Sequence, residues 1–273
     1  MISQSARAEA FKALHERAGI FAIPNPWDAG SARMLAAVGF EALATTSAGF
    51  AYSIGRPDAE GAISREETLE NARCIVDATS MPVSADLENG FGDEPDACAQ
   101  TILQAAAVGL VGGSIEDATG RSDDPIYAYD FAVDRVRAAV KASRSLPFPF
   151  MLTARAENLI HGRMDLEDTI RRLAAFAELG ADVLYAPGLK TQEDIEAVVR
   201  AVAPKPVNVL AGPSFSLDNL ATLGVKRVSL GSSLARAAYG AMLEAAREVR
   251  QQGTFEFART AVPYTQINAM FKP

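Results

Sequence analysis

Asp86 and Glu88 stand one residue apart at the end of the apolar stretch Pro82–Asp86, with the glycine-bearing turn Asn89–Gly92 directly after them. Alternate residues of a strand face the same side, so strand geometry carried to its end projects both carboxylates together. Two carboxylates in one small space repel, and one stays protonated unless a cation intervenes. A hard divalent ion is the usual remedy. A pair of solvated turn acids fits the same three residues equally well, so the meaning of Asp86 and Glu88 depends on what else arrives beside them.

What arrives is set by the elements that carry these residues. The pattern predicts a first helix, a short strand over Ile20–Asn25, and a helix from an Asp28 cap to about Val38. A second strand over Phe40–Thr46 leads into the loop Phe50–Ile63. Ser64 with Glu67 three residues on makes a capping box for Arg65–Thr79. Strands are then expected at Pro82–Asp86, Leu110–Glu116, Phe148–Ala154, Asp182–Tyr185, Pro206–Leu210 and Lys226–Leu230. Helices fill the intervals: Pro95–Val108, Asp130–Ser143, Asp165–Leu179, Gln192–Val202, Leu217–Leu223 and Ser232–Gln252. The phrases GFEALATTSAG, GLVGGSIED, GADVLYAPG and GVKRVSLGSS echo one another as a glycine-terminated helix followed by a buried strand. Short buried strands alternating with helices imply a parallel sheet. Eight such units fit an α/β fold closed as a (β/α)₈ TIM barrel, in one domain over residues 1–273, better than a doubly wound sheet.

A barrel gathers the C-terminal ends of its strands on one face, where active sites are built. Those ends read Asn25 and Trp27; Thr46, Ser47 and Asp58; Asp86 and Glu88; Glu116; Arg155; Tyr185; Asn208; and Ser232. An oxygen-rich acidic set without histidine suggests Mg²⁺, or Mn²⁺, rather than zinc. Because magnesium keeps several waters, Asp86 is expected as the direct metal ligand, with Glu88, Glu116 and Asp58 holding the waters. Arg155 reads as a bidentate clamp for a substrate carboxylate, or as a bridge to Glu116 or Glu157, or as both. Backbone N–H groups around Thr46–Gly49 could cradle a carboxylate.

The rest of the chain excludes more than it adds. The 273 residues are 49% apolar, ample for a large core, and a net charge of −8 argues against a nucleic-acid partner. No apolar run approaches the ~20 residues that span a bilayer, and the first helix lacks a signal-peptide core, so a soluble cytoplasmic protein is expected. Cys74 and Cys98 read as buried free thiols inside helices. His15 reads as a surface or packing residue, and His161 lies in the loop after the fifth strand, near the mouth. There is no G-x-S-x-G, G-x-G-x-x-G or P-loop. Gly231–Ser232–Ser233 reads as a helix cap before a phosphate site.

Six segments in order, PNPWDAGSAR, TTSAGFAYSIGRPD, PVSADLENGFG, GGSIED, LTARAEN and PVNVL, resemble the isocitrate lyase/phosphoenolpyruvate mutase superfamily from about Ala22 to Leu234. The resemblance implies a (β/α)₈ barrel whose C-terminal helix is exchanged between subunits, with about residues 232–273 in the interface of a homodimer or homotetramer. It implies a Mg²⁺ site on Asp86, with Asp58, Glu88 and Glu116 as outer ligands. Glu88 stands where the family usually has Asp. It further implies that Arg155 and the Thr46–Ala48 turn bind a small 2-oxo acid. Arg155, Glu116 and Asp58 are then the catalytic candidates. Thr46, Ser47, Ala48, Trp27, Asn208 and Tyr185 join Arg155 as substrate-binding candidates.

One departure is informative. Lyases of this superfamily carry a K-[KR]-C-G-H loop after the residue matching Glu116; here Ala118–Asp130 reads ATGRSDDPIYAYD, with no Lys, Cys or His. The lysine- and asparagine-bearing gate of the phosphonate mutases is not evident either. The shared chemistry remains: a 2-oxo acid chelated by Mg²⁺, with an enolate stabilised as a bond to C3 breaks. Oxaloacetate-type decarboxylation needs no leaving-group acid and matches the missing Cys best. The competing expectations are a C–C lyase of the methylisocitrate or dimethylmalate type with Tyr185 or His161 as acid, a phosphonate-cleaving enzyme with Arg121 as a second clamp, and a non-catalytic 2-oxo acid binder.

Overall fold

The computed structural model describes residues 2–58 and 61–272, so residues 59 and 60 of the loop Phe50–Ile63 lie outside the described residues. In chain order the elements are α1 (Gln4–Glu16), β1 (Phe21–Ile23), α2 (Ala29–Val38), β2 (Leu43–Ala44), α3 (Ser47–Ser53), α4 (Arg65–Ala78), β3 (Val83–Asp86), α5 (Pro95–Ala107) and β4 (Gly112–Glu116). The second half contributes α6 (Tyr129–Arg144), β5 (Met151–Arg155), α7 (Leu166–Leu179), β6 (Val183–Tyr185), α8 (Gln192–Val202), β7 (Val207–Leu210), α9 (Leu217–Thr222) and β8 (Arg227–Ser229). A long α10 (Ser233–Gln252), a 3₁₀ turn (Glu256–Arg259) and α11 (Tyr264–Met270) follow.

The eight strands form one parallel sheet in the order β1-β8-β7-β6-β5-β4-β3-β2. The Ala44 N–H donates to Pro24 O at 3.0 Å, which brings β2 back to the end of β1 and closes a (β/α)₈ barrel. The joins behave as their echoing sequences suggested. α2 and α7 end on Gly39 (φ 99°) and Gly180 (φ 104°), left-handed positions that a Cβ would strain. α4 starts on the Ser64–Glu67 capping box, and α2 on an Asp28–Ser31 box in which Ser31 takes the usual Glu position.

The bottom of the barrel is plugged by α1, whose Phe11, Leu14 and His15 are buried with Phe21, Val111, Met151 and Val183. Gly112 leaves space for this plug, since a Cβ there would sit 2.9 Å from the Phe11 ring. The apolar core between strands and helices is a separate shell that includes Leu43, Ile75, Val83, Leu110, Phe150, Leu184 and Val209.

Several expectations need correction. β2 covers only Leu43–Ala44, because the chain turns at once into α3, a short helix capped by Thr46 that the pattern did not suggest. β5 begins at Met151 rather than Phe148, as Pro147 and Pro149 cannot donate to a ladder. Cys98 is buried, but Cys74 is exposed. β3 ends at Asp86, and Glu88 has φ 47°, so the strand alternation expected to pair Asp86 with Glu88 stops between them. No helix among the described residues is long and apolar enough to cross a membrane.

Candidate active site

The end of β3 holds Asp86 by its neighbours on both sides. Its N–H donates to Thr45 Oγ1 at 3.0 Å. Its Oδ2 accepts from Ser47 Oγ at 3.1 Å, and its Oδ1 from Arg155 Nη1 at 2.9 Å. Ser114 Oγ on β4 lies 3.4 Å from the same Oδ1. Ser47 reaches it because α3 begins directly at the end of β2. Gly49 allows that early turn, since a Cβ there would come within 2.6 Å of Thr46 Cγ2 and 3.0 Å of Trp27 Cβ.

Arg155, at the end of β5, is the electrostatic centre. Besides Asp86, its Nη2 lies 3.1 Å from Glu116 Oε2 and its Nε donates to Glu157 Oε1 at 2.8 Å. The bridge reading of Arg155 therefore holds for both Glu116 and Glu157, and three carboxylates in all meet its guanidinium. Tyr185 lies beneath, with the guanidinium carbon 5.2 Å from its ring centre, and burial pushes its phenol up to about 12. Glu157 was read from sequence only as a bridge partner. It is buried, and its N–H is held by Asp117 Oδ1 at 2.8 Å. Asp117 in turn meets Arg172 at 3.1 Å, and burial raises its pKa to about 6.

Among the described residues, the carboxylates gathered on Arg155 outnumber it, and the neighbouring acids are raised accordingly. Burial first, then Asp86 and Asp58, push Glu88 up to about 7. Glu116 is raised well above its ordinary value by burial, with Arg155 opposing and Glu157, Asp86 and Glu88 adding to it. Unrelieved negative charge on oxygen-only donors is the chemistry of a hard-cation site, so the residues present fit Mg²⁺ or Mn²⁺. They do not form a ready cage: among the described residues, no group of three or more His, Cys, Asp and Glu side chains is arranged to hold a metal by itself. One direct carboxylate with the other acids a water away requires no such cage.

Two adjoining cavities divide the candidate residues. One of about 310 Å³ is lined by Asn25, Thr46, Ser47, Ala48, Asp58, Asp86, Arg155, Tyr185, Asn208 and Ser232. The other, about 560 Å³, takes Glu88, Glu116, His161 and Arg121. Trp27 lines neither; it packs against Tyr239 of α10 with ring centres 6.4 Å apart. No His, Cys or Lys is among the described residues lining the smaller cavity. Asn25 turns its amide inward as a structural tie, its Oδ1 accepting from the N–H groups of Leu230 and Gly231 at 2.9 Å.

The turn after Glu88 is braced rather than loose. Phe91 joins Glu88 at positive φ (59°), and buried Arg135 donates to the carbonyls of Asn89, Gly92 and Asp93 while lying 4.2 Å from the Tyr127 ring centre. The loop after Glu116 folds onto this turn. Ala118 and Ile126 form an antiparallel bridge, and Arg121 pairs with Asp93 at 3.0 Å. Arg121 is thus already matched to a carboxylate. Sequence reasoning missed a polar layer inside the barrel below Arg155: Ser84, Ser114, Thr153, Arg227 and Ser229 also line the 310 Å³ cavity. Its signal was Arg227 and Ser229 at strand spacing about the apolar Val228, which looks like ordinary surface charge at a strand start.

Comparison with known proteins matches residues 11–250 to the family model for phosphoenolpyruvate phosphomutase. A Burkholderia cenocepacia J2315 structure, assigned only provisionally as a lyase or mutase, superposes with a TM-score of 0.96 at 60% identity, covering 99% of this chain and 97% of that one. Oxaloacetate acetylhydrolase, solved with 3,3-difluorooxalacetate bound, gives a TM-score of 0.88 at 26% identity over 98% of this chain and 94% of its own. The 2-methylisocitrate lyase of Escherichia coli K12 is 28% identical over 258 residues, 90% of this chain and 85% of that protein.

Proposed function

The chain belongs to the phosphoenolpyruvate phosphomutase family, within the isocitrate lyase/phosphoenolpyruvate mutase superfamily, and on that premise we propose that it is a divalent-cation-dependent carbon–carbon lyase of a small 2-oxo dicarboxylic acid, with oxaloacetate decarboxylation as the reaction. The observation that carries the reading is the combination at the mouth. Asp86 is fixed between Ser47, Ser114 and Arg155, and the described residues lining that cavity include no thiol, imidazole or ammonium. Such a site can stabilise negative charge on a substrate, and apart from the Tyr185 phenol its lining offers no thiol or imidazole acid for a carbon leaving group. Carbon dioxide is the leaving group that needs none.

Asp86 is the residue that would hold Mg²⁺ directly, with Glu88, Glu116 and Asp58 orienting its waters. When bound, the ion would supply electrophilic stabilisation of negative charge on the substrate's oxo oxygen. The chain's own residues do the rest. Arg155 Nη1, which donates to Asp86 in the structure, would be the N–H suited to a substrate carboxylate. Ser47 and Ala48 offer backbone N–H groups at the start of α3, which orient the same acid. Glu116 and Glu157 hold the guanidinium in place. The C3–C4 bond breaks as carbon dioxide leaves, its electron pair forms the C2–C3 double bond while the C2=O pair moves onto the oxo oxygen, and the enolate collapses to pyruvate by taking a proton at C3 from solvent water.

A second reading is favoured by one feature. Tyr185 is buried against Arg155 and remains protonated at neutral pH, so its O–H could serve as the acid in cleavage of a malate- or citrate-like substrate. Assembly belongs to the proposal as well. Of the twenty residues of α10 only Ala235 is buried, while Met242, Leu243 and Val249 are exposed. A helix so apolar and so little covered suits a homodimer or homotetramer. The deciding experiment follows oxaloacetate loss with purified protein. Mg²⁺-dependent loss that disappears in Asp86→Ala supports the lyase; loss at the spontaneous rate overturns it and leaves a 2-oxo acid binder.

A further inference from the structure

The smaller cavity does not end at Arg155. It continues into the barrel to a floor made by Thr153, Asn208, Arg227 and Ser229, with the small side chains of Ala44, Ser84 and Ser114 opposite. Arg227 is 6% exposed there. Its Nε donates to Asn208 Oδ1 at 2.8 Å, its Nη2 to Thr153 Oγ1 at 2.9 Å, and its Nη1 lies 3.3 Å from His15 Nε2. All three partners are neutral. His15 Nδ1 lies 2.8 Å from Phe11 O, which assigns the ring hydrogen to Nδ1 and leaves Nε2 to accept. A guanidinium has five N–H groups, so among the described residues two are left beyond these three contacts.

The other buried arginines are matched differently. Arg155 meets three carboxylates, Arg172 meets Asp117 and Asp168, and Arg135 is capped by backbone carbonyls and the Tyr127 ring. Among the described residues, the titratable group whose charge acts favourably on Arg227 is Tyr185, and that phenol is neutral at ordinary pH. Burial accordingly pulls the guanidinium down to about 10. A buried positive charge thus lines the cavity with no carboxylate among its partners in the described residues, which is costly in a low dielectric.

We propose that the cavity floor is an anion subsite, centred on Arg227 and flanked by Thr153 and Ser229, that takes a carboxylate or another small anion. The anion held there is one that stays: it neutralises Arg227 and takes no part in bond cleavage. Two sources share this chemistry, a free ion or a non-reacting carboxylate of the substrate. Thr153 and Arg155 lie two residues apart on β5, roughly 7 Å along the strand, a separation that one short molecule can bridge. The substrate arm rests on the lyase reading above; the ion arm does not.

The test uses halide-free crystals of the full chain, without divalent cation, soaked in sodium bromide. An anomalous peak within hydrogen-bonding distance of Arg227 in the wild type, absent in Arg227→Met and retained in Arg227→Lys, is the expected result. Calorimetry with succinate then separates the sources. At least a tenfold loss of succinate affinity on adding bromide, seen in the wild type and not in Arg227→Met, assigns the floor to a substrate carboxylate. Bromide binding that succinate leaves unchanged assigns it to a free ion. No peak at Arg227, or a peak that persists in Arg227→Met, overturns the proposal. Should Arg227→Met fail to fold, the wild-type map and Arg227→Lys still decide. Asp86→Ala is expected to keep the bromide peak, so failure of the lyase reading and failure of the floor subsite are told apart.

Discussion

Arg155 and Arg227 line the same cavity, and their surroundings are opposite. Arg155 is held by Asp86, Glu116 and Glu157, with Glu88 and Asp58 close by; Arg227 is held by an amide, a hydroxyl and an imidazole. Among the described residues, the mouth sets three carboxylates against Arg155, and the floor gives Arg227 no carboxylate partner. A surplus of acids is relieved by a cation, a bare guanidinium by an anion. The two ends of one cavity are therefore suited to ligands of opposite sign, and substitutions that remove each charge should behave differently.

The largest expected effect follows from removing the central cation of the mouth. Arg155→Met leaves buried Glu157 and half-buried Glu116 and Asp86 without their shared cation, which costs about 3–5 kcal/mol at pH 8. The cost should shrink toward pH 5 as Glu116, raised well above its ordinary value, takes up its proton. Urea unfolding at both pH values measures it, and a loss under about 1 kcal/mol at pH 8 would mean that the acid cluster does not depend on Arg155.

Next comes the support of the floor. His15 is held neutral, with its pKa lowered to about 3 by burial and then by Arg227. The unfolded chain takes up a proton near pH 6.5 and the folded one does not, so stability is complete above that value and falls as pH drops from about 6.5 toward 3. At pH 5 the loss from this group is about 2 kcal/mol. His15→Gln should lose that component, so that its denaturation midpoint falls less steeply than wild type between pH 7 and 5. Parallel slopes would remove His15 from the account of the floor.

Arg227→Met should cost little, within about 1 kcal/mol, because three hydrogen bonds to neutral partners are lost while an uncompensated buried cation is removed. A penalty as large as that of Arg155→Met would erase the contrast between floor and mouth. The smallest effect concerns Glu88, which titrates near 7. Cation binding favours its ionised form, so apparent Mg²⁺ affinity should rise a few-fold from pH 6 to pH 8 in the wild type. It should rise less in Glu88→Gln, as followed by calorimetry.

Much of the mouth was legible because strand ends in a parallel barrel converge, whatever the chain does between them. Asp86, Glu116 and Arg155 each close a strand, and the alternation of glycine-ended helices with apolar runs located those strands. Glu88 was placed near Asp86 for the wrong local reason. The strand stops first, and a left-handed turn braced by Arg135 brings the carboxylate round. Trp27 sits beside the right motif but packs on Tyr239, a contact with a residue more than two hundred positions away that no spacing rule reveals. The short α3 was obscured by Thr, Ser and Gly, which read as loop, although Thr46 and Gly49 are what let it form. Arg227 was unreadable because one strand shows only alternation, and whether the polar side faces solvent or a barrel interior depends on seven other strands.

The central claim is that a divalent cation on Asp86 and the guanidinium of Arg155 together bind a 2-oxo acid. Oxalate binding by calorimetry tests it most directly, with and without Mg²⁺, in the wild type and in Asp86→Ala. The expected result is binding in the wild type only when Mg²⁺ is present, and none in Asp86→Ala under either condition. Equal oxalate affinity with and without Mg²⁺, or undiminished Mg²⁺-dependent binding in Asp86→Ala, would contradict it.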